Sequence, residues 1–424
     1  MLDSDLKWKR VWHFVQVVIS AAVLVMLFLA ARGIGWAGFA SLLSTYGARA
    51  KNIAATQAAS SLSPNDPEPH YVRAAILEAN GDFPAAVEEY TQAARLRADD
   101  YVLWQALAHA RELKGDTAGA LAAARQSVAL APHYAQPHWQ LGNILVRARQ
   151  LEEGFRELRL AGQSDSQLLP SIIDLAWQLS GEDVELVKRL IGPQSPDFYK
   201  ALAEYFKKRN RFSDAVEMFR AAGAAAEQER RLFLEEMISA RRFDVAAVLW
   251  SMDHSADSKS MVSELRNAGF EQEGDLDKPG FSWRQDNKAE SLSISLDLSK
   301  PKEGRSSLRV DFKGDSEPGV PVISQLILVE PRTRYQLQFA ARTEDLVSGG
   351  LPYVVISDAG NNNVLAQTGL FPRQITDWQD YVLDFTSADT VSTIQLMLRR
   401  APCSKSPCPI FGRLWLDNFF LRKL

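Results

Sequence analysis

The spacing of apolar residues changes once along the chain and divides it into a helical part and a strand part. From about Trp36 to Trp250, small and apolar residues recur every three to four positions, which is the period of amphipathic α-helices. From about Gly269 onward the period is two, as in Leu292-Ser-Ile-Ser-Leu296, which is typical of strands with one buried face. We therefore predict stacked helices followed by an all-β domain.

Residues 68–160 repeat with a step of 34 residues. Small side chains recur in one register, at Ala86, Ala120 and Gly154. Two antiparallel helices approach closely only where side chains are small, and one such pair cannot bury its own apolar face, so copies must stack. The copies in strict register begin near three residues: Pro67, Tyr101 and Ala135.

The middle copy closely resembles a tetratricopeptide repeat (TPR). The matching residues are Trp104, Leu107, Ala108, Gly115, Ala120 and Pro132. The resemblance implies an α-solenoid whose concave face, lined by the first helix of each pair, binds an extended peptide or a partner helix. By register, the predicted groove residues are Tyr71, Gln105, His109, Trp139, Asn143 and Lys200. Alternatively, the array is a spacer in which Tyr71 and Trp139 cover the stack; His70 and His138 share the register of Trp104 and are expected in helix contacts.

An apolar run from Val11 to Ala31 precedes the helices. At about 1.5 Å per residue, this run is long enough to cross a bilayer of about 30 Å. Lys7, Lys9 and Arg10 lie before it, so the positive-inside rule predicts a cytoplasmic N-terminus and an exported remainder. A cleaved signal peptide and a buried core helix are the alternatives.

The strand part predicts a two-sheet β-sandwich and resembles carbohydrate-binding modules of the family 4/9 type, which have a galactose-binding-like jelly roll. The matching stretches include Asn267–Glu271, Pro331–Arg342, Trp378–Tyr381 and Gly412–Asp417. Sugar rings stack on exposed aromatic planes beside hydrogen-bonding groups. The candidate sugar-binding residues are Trp283, Tyr353, Phe371, Trp415, Asn361 and Asn363, with Gln325 and Gln367 as further polar partners. A docking module without sugar affinity is the alternative.

The same resemblance implies a structural calcium ion held by Glu271 and Asp417, because carboxylate oxygens suit a hard cation. Otherwise, Asp417 would cap a turn or pair with an arginine. The two cysteines, Cys403 and Cys408, are close enough in sequence to form a tight disulfide loop in an oxidising compartment, and two free thiols are the alternative. A zinc site is disfavoured because two thiolates do not complete a tetrahedron.

Composition and motifs favour binding over catalysis. The net charge of −4 gives no sign of a nucleic-acid surface, and the sequence contains no nucleophile elbow, no HExxH motif and no GxxxxGK(S/T) phosphate loop. The predicted fold class is multidomain α and β, with a transmembrane helix, a TPR-type α-solenoid and a β-sandwich jelly roll. The predicted segments are 1–10 cytoplasmic tail, 11–31 transmembrane helix, 32–66 capping helices, 67–255 repeats, 256–268 linker and 269–424 jelly roll.

The expected function is therefore that of a non-catalytic scaffold, anchored in the cytoplasmic membrane of a bacterium and exposed on its outer side. Its partners would be envelope proteins in the groove, the lipid bilayer at the anchor and a polysaccharide at the jelly roll, with no cofactor except the calcium ion. A sugar-active enzyme with the array as an accessory is the alternative, because two catalytic carboxylates are defined by distance and not by sequence spacing.

Overall fold

The computed structural model describes residues 35–192, 195–253, 265–272, 276 and 280–424. The chain divides into two compact units between Gln194 and Ser195. The predicted transmembrane segment 11–31 and the tail before it lie outside the described residues. Within the described ranges, every helix is too short or too polar to span a bilayer.

The first unit is built from helical pairs. Residues 35–50 form α1, which is followed by α2 (Ile53–Leu62). Four pairs follow: α3 (Pro67–Ala79) with α4 (Phe83–Leu96), α5 (Tyr101–Leu113) with α6 (Thr117–Leu130), α7 (Ala135–Arg147) with α8 (Leu151–Ser164), and α9 (Leu169–Ser180) with α10 (Val184–Ile191). A short 3-10 turn, Ser166–Leu168, precedes α9. The predicted helical repeats are therefore present in this unit.

Aspartates start the helices of the first two strict copies. Asp66 and Asp100 each accept a hydrogen bond from a backbone N–H of the following helix, and Asp82 and Asp116 do the same one helix later. Such caps satisfy N–H groups that a helix cannot pair internally, and each contributes about 1 kcal/mol. The third copy lacks a side-chain cap at both helix starts, so its pairing depends more on packing.

Close packing in the third copy uses two glycines that face each other between α7 and α8. A Cβ atom on Gly142 would lie 2.7 Å from Leu158 Cγ and 3.0 Å from Gly154 O. A Cβ atom on Gly154 would lie 2.8 Å from Val146 Cγ2 and 3.1 Å from Gly142 O. All four distances are shorter than the usual contacts of a Cβ atom, so larger residues at these two positions would force the helices apart.

Two contacts recur at the repeat position shared by residues 70, 104 and 138, and each is made by two of these three residues. Trp104 Nε1 donates to Ala98 O at 2.9 Å, and His138 Nε2 lies 2.9 Å from the equivalent carbonyl, Pro132 O. His138 Nδ1 also lies 2.6 Å from Glu157 Oε2, just as His70 Nδ1 lies 2.7 Å from Glu89 Oε2. These histidines therefore take part in helix-to-helix contacts, which agrees with the packing role predicted for them.

The second unit begins with two more helical pairs. These are α11 (Pro196–Lys208) with α12 (Phe212–Ala222), and α13 (Glu227–Ser239) with α14 (Phe243–Met252), with a 3-10 turn Gly223–Ala226 between them. Helix α14 ends against the sheet part of the same unit. The ring of Trp250 packs at 5.9 Å from that of Phe281, and a Cβ atom on Gly280 would lie only 2.1 Å from Trp250 Cδ1. The last helical pair is thus packed directly onto the β part.

Two five-stranded antiparallel sheets complete the second unit. The strands are β1 (Arg284–Gln285), β2 (Leu292–Asp297), β3 (Ser307–Asp315), β4 (Ile323–Leu328), β5 (Arg334–Ser348), β6 (Pro352–Asp358), β7 (Val364–Gln367), β8 (Gln379–Thr386), β9 (Thr393–Arg400) and β10 (Pro409–Lys423). Their order is β1-β4-β9-β6-β7 in the first sheet and β2-β3-β10-β5-β8 in the second. Both sheets contribute to one apolar core, as in the predicted β-sandwich.

A buried arginine, which we did not predict, joins the loops at one end of the sandwich. Arg400 is 2% exposed, and its guanidinium donates to Ser316 Oγ at 2.8 Å, Ser348 Oγ at 3.0 Å and Cys408 O at 2.7 Å. Burial lowers its pKa, and the negative charge of Asp315 opposes that effect. Cys408 itself is joined to Cys403 in a disulfide, with 5.7 Å between their Cα atoms. The structure thus contains the disulfide and not the two free thiols.

Candidate functional site

The first unit has a concave groove that crosses α3, α5 and α7. Its volume is about 670 Å³. Five of the six residues that we predicted for the groove line it together: Tyr71, Gln105, His109, Trp139 and Asn143. They come together because each lies on the first helix of a pair, and successive first helices present the same face.

Several groove side chains are held in place by their neighbours. Gln140 Nε2 donates to Gln105 O at 2.9 Å, which links α7 to α5. Asn143 Nδ2 donates to Trp139 O at 2.7 Å within α7. The ring of Tyr71 packs edge-on against Tyr90, with 5.7 Å between the ring centroids. The groove therefore has aromatic and amide surfaces whose positions are largely fixed.

Acidic groups in and beside the groove have basic neighbours. Arg147 Nε donates to Glu112 Oε1 at 2.5 Å, and His109 Nε2 lies 3.6 Å from Glu78 Oε1. Burial raises the pKa of the Tyr90 phenol, which packs against Tyr71, and the negative charge of Glu78 raises that pKa further. The groove consequently lacks the strong excess of positive charge that capture of an acidic segment requires.

The sixth predicted groove residue, Lys200, lies on α11 in the second unit. Its Nζ lies 3.2 Å from Asp197 Oδ1 and 3.6 Å from Glu229 Oε1, so two carboxylates already neutralise it. The repeat pattern did not predict six other residues that line the groove: Val102, Ala106, Glu112, Gln136, Gln140 and Arg147. Each of them lies three or four positions from a predicted groove residue, so extending each prediction by one helical turn would have found them.

In the sandwich, three of the four predicted sugar-stacking aromatics are buried, and their assignment as exposed platforms is wrong. Trp283 is 2% exposed and Phe371 is 0% exposed, and both belong to the core between the sheets. Gln325, proposed as a polar partner, is 1% exposed and donates to Arg266 O at 3.2 Å. These side chains cannot present a face or an amide to a sugar.

Trp415 is the third, and it is buried for a different reason. It is 3% exposed although it lies outside the core cluster, because the Arg342 guanidinium covers its ring at 3.9 Å from the centroid. Its Nε1 donates to Asp297 Oδ2 at 2.6 Å, and the Arg309 guanidinium lies 5.7 Å from its ring. Trp415 is therefore stacked on arginine instead of being open to a sugar.

The Asp297 carboxylate at this cluster is strongly stabilised in its ionised form. Burial by itself raises its pKa, but hydrogen bonds from Ser299 and Trp415 and the charge of Arg309 outweigh burial and lower the pKa to about 2. Asp297 also lies 3.8 Å from Arg342 Nη2. The cluster therefore links three strands of the second sheet through charges.

The remaining predicted sugar residues are accessible but not grouped. Tyr353 is half-buried near the start of β6, whereas Asn361 and Asn363 are exposed in the turn after its end. At about 3.3 Å per residue, the length of β6 separates them by about 15 Å or more. Asn361 also has a local role, since its Oδ1 accepts a hydrogen bond from Asn363 N at 2.8 Å.

The two predicted calcium ligands are close neighbours. A Cβ atom on Gly269 would lie 3.8 Å from Glu271 Oε1 and 3.9 Å from Asp417 Oδ1. Burial raises the pKa of Asp417, hydrogen bonds from backbone N–H groups oppose this, and the charge of Glu271 adds to the rise.

A cation would offset this repulsion, so the pair fits calcium by charge. Calcium takes about six to eight oxygens. Among the residues described, no group of three or more His, Cys, Asp or Glu is placed to hold a metal, so backbone carbonyls or water would complete the set. Both carboxylates also accept backbone N–H groups, Asp417 from Lys302 at 2.8 Å and Glu271 from Arg305 at 2.9 Å. The calcium ion stays a prediction.

No protein-family model and no curated protein matches this chain. Among solved structures, MamA is similar with a TM-score of 0.31 and 20% identity, covering 37% of this chain and 89% of MamA. YrrB, described as a TPR protein with an unusual peptide-binding site, is similar with a TM-score of 0.32 and 14% identity, covering 44% and 86%. TmCBM61, solved with beta-1,4-galactotriose, is similar with a TM-score of 0.27 and 16% identity, covering 38% and 97%. At such scores these likenesses carry no argument, and the two architectures rest on the helical pairs and the two sheets described above.

Proposed function

We propose that this protein is a non-catalytic scaffold whose first unit binds an extended segment of a partner protein in the groove across α3, α5 and α7. The observation that carries this proposal is the convergence of Tyr71, Gln105, His109, Trp139 and Asn143 on one concave surface. Aromatic side chains bind through large apolar contact areas, and amides satisfy the N–H and C=O groups of an extended backbone. A spacer has no need of such a surface.

The groove chemistry also suggests what the segment contains. Because Glu112 is paired with Arg147 and Glu78 lies 3.6 Å from His109, a strongly charged segment would have to compete with these contacts. Tyr71 and Trp139 lie on α3 and α7, two helical pairs apart. The preferred ligand is therefore a mostly uncharged peptide with two apolar anchors separated by several residues.

Selection from a displayed library of random peptides tests the groove. The full chain should enrich peptides with two apolar anchors, and the double variant Tyr71→Ala/Trp139→Ala should bind them at least about tenfold more weakly, because aromatic anchors typically contribute more than about 1 kcal/mol each. Tyr134→Ala is the matched control, since Tyr134 is 60% exposed in the same unit and does not line the groove. If the double variant binds the selected peptides as tightly as Tyr134→Ala does, the groove is not their binding site and the spacer interpretation stands.

The scaffold is proposed to be anchored in a bacterial cytoplasmic membrane by residues 11–31, with the described units on the outer side. Support comes from the apolar sequence of this run and from the basic residues before it. The Cys403–Cys408 disulfide also favours an oxidising compartment. Fusing a reporter to Leu424 tests this: activity of an exported-only reporter supports the topology, and activity of a cytoplasmic-only reporter contradicts it.

The sandwich is proposed to contact polysaccharide or a second protein. The burial of Trp283, Phe371 and Trp415 excludes the stacking platform that we predicted, so any sugar site uses other groups. Binding of glycans without turnover would support the non-catalytic proposal. Measurable glycan hydrolysis by the purified chain would instead favour the alternative of a sugar-active enzyme.

A further inference from the structure

A small cavity lies inside the second unit, between the turn that joins α13 to α14 and the first sheet. Its volume is about 200 Å³. This equals about six or seven water molecules at about 30 Å³ each, and it is smaller than the pockets that hold drug-sized ligands. The cavity therefore has room for one compact molecule, such as a single sugar.

Polar side chains reach the cavity from both sides. Ser239 and Arg241 come from the helical turn, and Ser282, Ser324 and Gln395 come from the sheet side. Ser282 is 1% exposed, and its Oγ has no hydrogen-bond partner among the residues that the structure describes. A buried hydroxyl without a partner costs about 1–3 kcal/mol, which a bound ligand offering a hydrogen bond would recover.

The basic side chains at the cavity have different partners. Arg284 Nε donates to Asp286 Oδ1 at 2.7 Å, and Ser324 Oγ donates to the other oxygen of Asp286 at 2.5 Å, so this arginine is neutralised. Arg241 donates instead to a neutral acceptor, the carbonyl of Gly360. Within the described part of the chain, Arg241 has no carboxylate partner, and it adds one positive charge to the rim of the cavity.

The joint between helices and sheet holds the two sides of the cavity together. Trp250 packs against Phe281, and the Arg266 guanidinium lies 4.8 Å from the Trp250 ring. Phe243, which is 8% exposed at the start of α14, forms part of the apolar wall. The cavity thus combines an apolar wall, several hydroxyl and amide groups, and one guanidinium that has no carboxylate partner among the described residues.

We propose that this cavity binds a monosaccharide-sized polyol that carries one carboxylate, of which a hexuronate is the simplest example. Hydroxyl and amide side chains complement sugar hydroxyls, Phe243 contacts an apolar C–H surface, and Arg241 pairs with the carboxylate. The proposal rests on the carbohydrate-binding part of the proposed function and is independent of the peptide groove.

Calorimetric titration of the purified full chain tests the ligand class. Sodium glucuronate, glucose and inorganic phosphate are compared at constant ionic strength, so that the sugar and the charge are varied separately. We expect glucuronate to bind at least about tenfold more tightly than either of the others, because only glucuronate offers both hydroxyls and a carboxylate. A preference for phosphate, or no glucuronate binding at millimolar concentration, would overturn the proposal.

Variants then test the location. Arg241→Gln should weaken glucuronate binding at least about tenfold, because it removes the positive charge that pairs with the carboxylate. Arg231→Gln is the matched control, since Arg231 is an exposed arginine of α13 paired with Glu235. Asn362→Asp, which places a carboxylate on the cavity wall without changing the side chain's shape, should also weaken glucuronate binding, and cooperative thermal unfolding verifies that each variant folds.

Failures of the two proposals can be told apart. If Arg241→Gln binds glucuronate as the wild type does, the cavity is not the site, although carbohydrate binding by the sandwich stands. If glucuronate binding requires Arg241 but polysaccharides do not bind, the cavity proposal stands and the polysaccharide proposal fails. Titration with an oligomer of glucuronate shows whether the ligand is a free sugar acid or the end of a glycan. Binding of either form that depends on Arg241 supports the cavity as the site.

Discussion

The repeats of the first unit and the sandwich of the second place their aromatic side chains by different rules. In the repeats, Tyr71 and Trp139 lie on the groove because each helical pair reproduces the geometry of the pair before it. In the sandwich, Trp283 and Trp415 are both buried, the first in the core and the second beneath Arg342. In a solenoid, the exposure of an aromatic side chain thus follows from its position within the repeat. In a sandwich, it depends on partners that are far away in the sequence.

We expect the largest change in stability from a substitution of Arg400, whose contacts join residues that are far apart in the sequence. Arg400→Met would leave the acceptors at Ser316, Ser348 and Cys408 without their donor, and we expect it to destabilise the second unit by about 3 kcal/mol or more. Calorimetric unfolding of the full chain measures this. Arg334→Met, at an exposed arginine, should change stability by less than about 1 kcal/mol, and an equal loss in both variants would contradict the account.

The next largest change in stability is expected where helices of the first unit pack closely. Gly154→Ala should destabilise this unit by about 1–3 kcal/mol, because the new methyl group overlaps Val146. Gly38→Ala is the matched control, since Gly38 is helical and no described residue lies within 4 Å of its Cβ position, so this substitution should stabilise by up to about 1 kcal/mol. Thermal unfolding should show that Gly154→Ala lowers the stability of the unit and that Gly38→Ala raises it. If both variants lower the stability, close packing is not the cause.

The charged cluster around Trp415 gives a pH-dependent effect. The folded-state pKa of Asp297 is about 2, against 3.8 for a free aspartate, so the ionised form stabilises the second unit above about pH 4 and this stabilisation is lost as the pH falls to about 2. Asp297→Asn should therefore cost about 2 kcal/mol at pH 7 and progressively less towards pH 2. Urea unfolding between pH 2 and 7 provides the measurement, and a constant difference would contradict the assignment.

The smallest effect is expected at the turn of the third repeat. Arg149 has a φ of 65°, whereas the equivalent positions in the first two copies are Gly81 and Gly115. Arg149→Gly should stabilise the first unit by about 0.5 kcal/mol, because glycine adopts this left-handed conformation without steric cost. Gly115→Ala should have the opposite sign in the same thermal unfolding experiment, and a loss of stability in Arg149→Gly would rule out strain at this turn.

The sequence was sufficient to predict the helical and the strand architecture and five positions of the groove, because these depend on periodic patterns. Small residues at Ala86, Ala120 and Gly154 predicted helix contacts, and alternation predicted the strands. The role of Trp415 could not be predicted, because its partners Asp297 and Arg342 come from different strands. The cavity at Arg241 was hidden for the same reason, since it forms only where the last helical pair packs on the sheet.

Photo-crosslinking in living cells tests the central claim, that the groove of the first unit binds a partner, most directly. A photoreactive phenylalanine analogue replaces Gln105, which lines the groove, or Glu88, which is exposed on α4 outside the groove. The account predicts a discrete crosslinked species from position 105 that Tyr71→Ala/Trp139→Ala abolishes, and none from position 88. Identical products from both positions, or a position-105 product that survives the double variant, would contradict it.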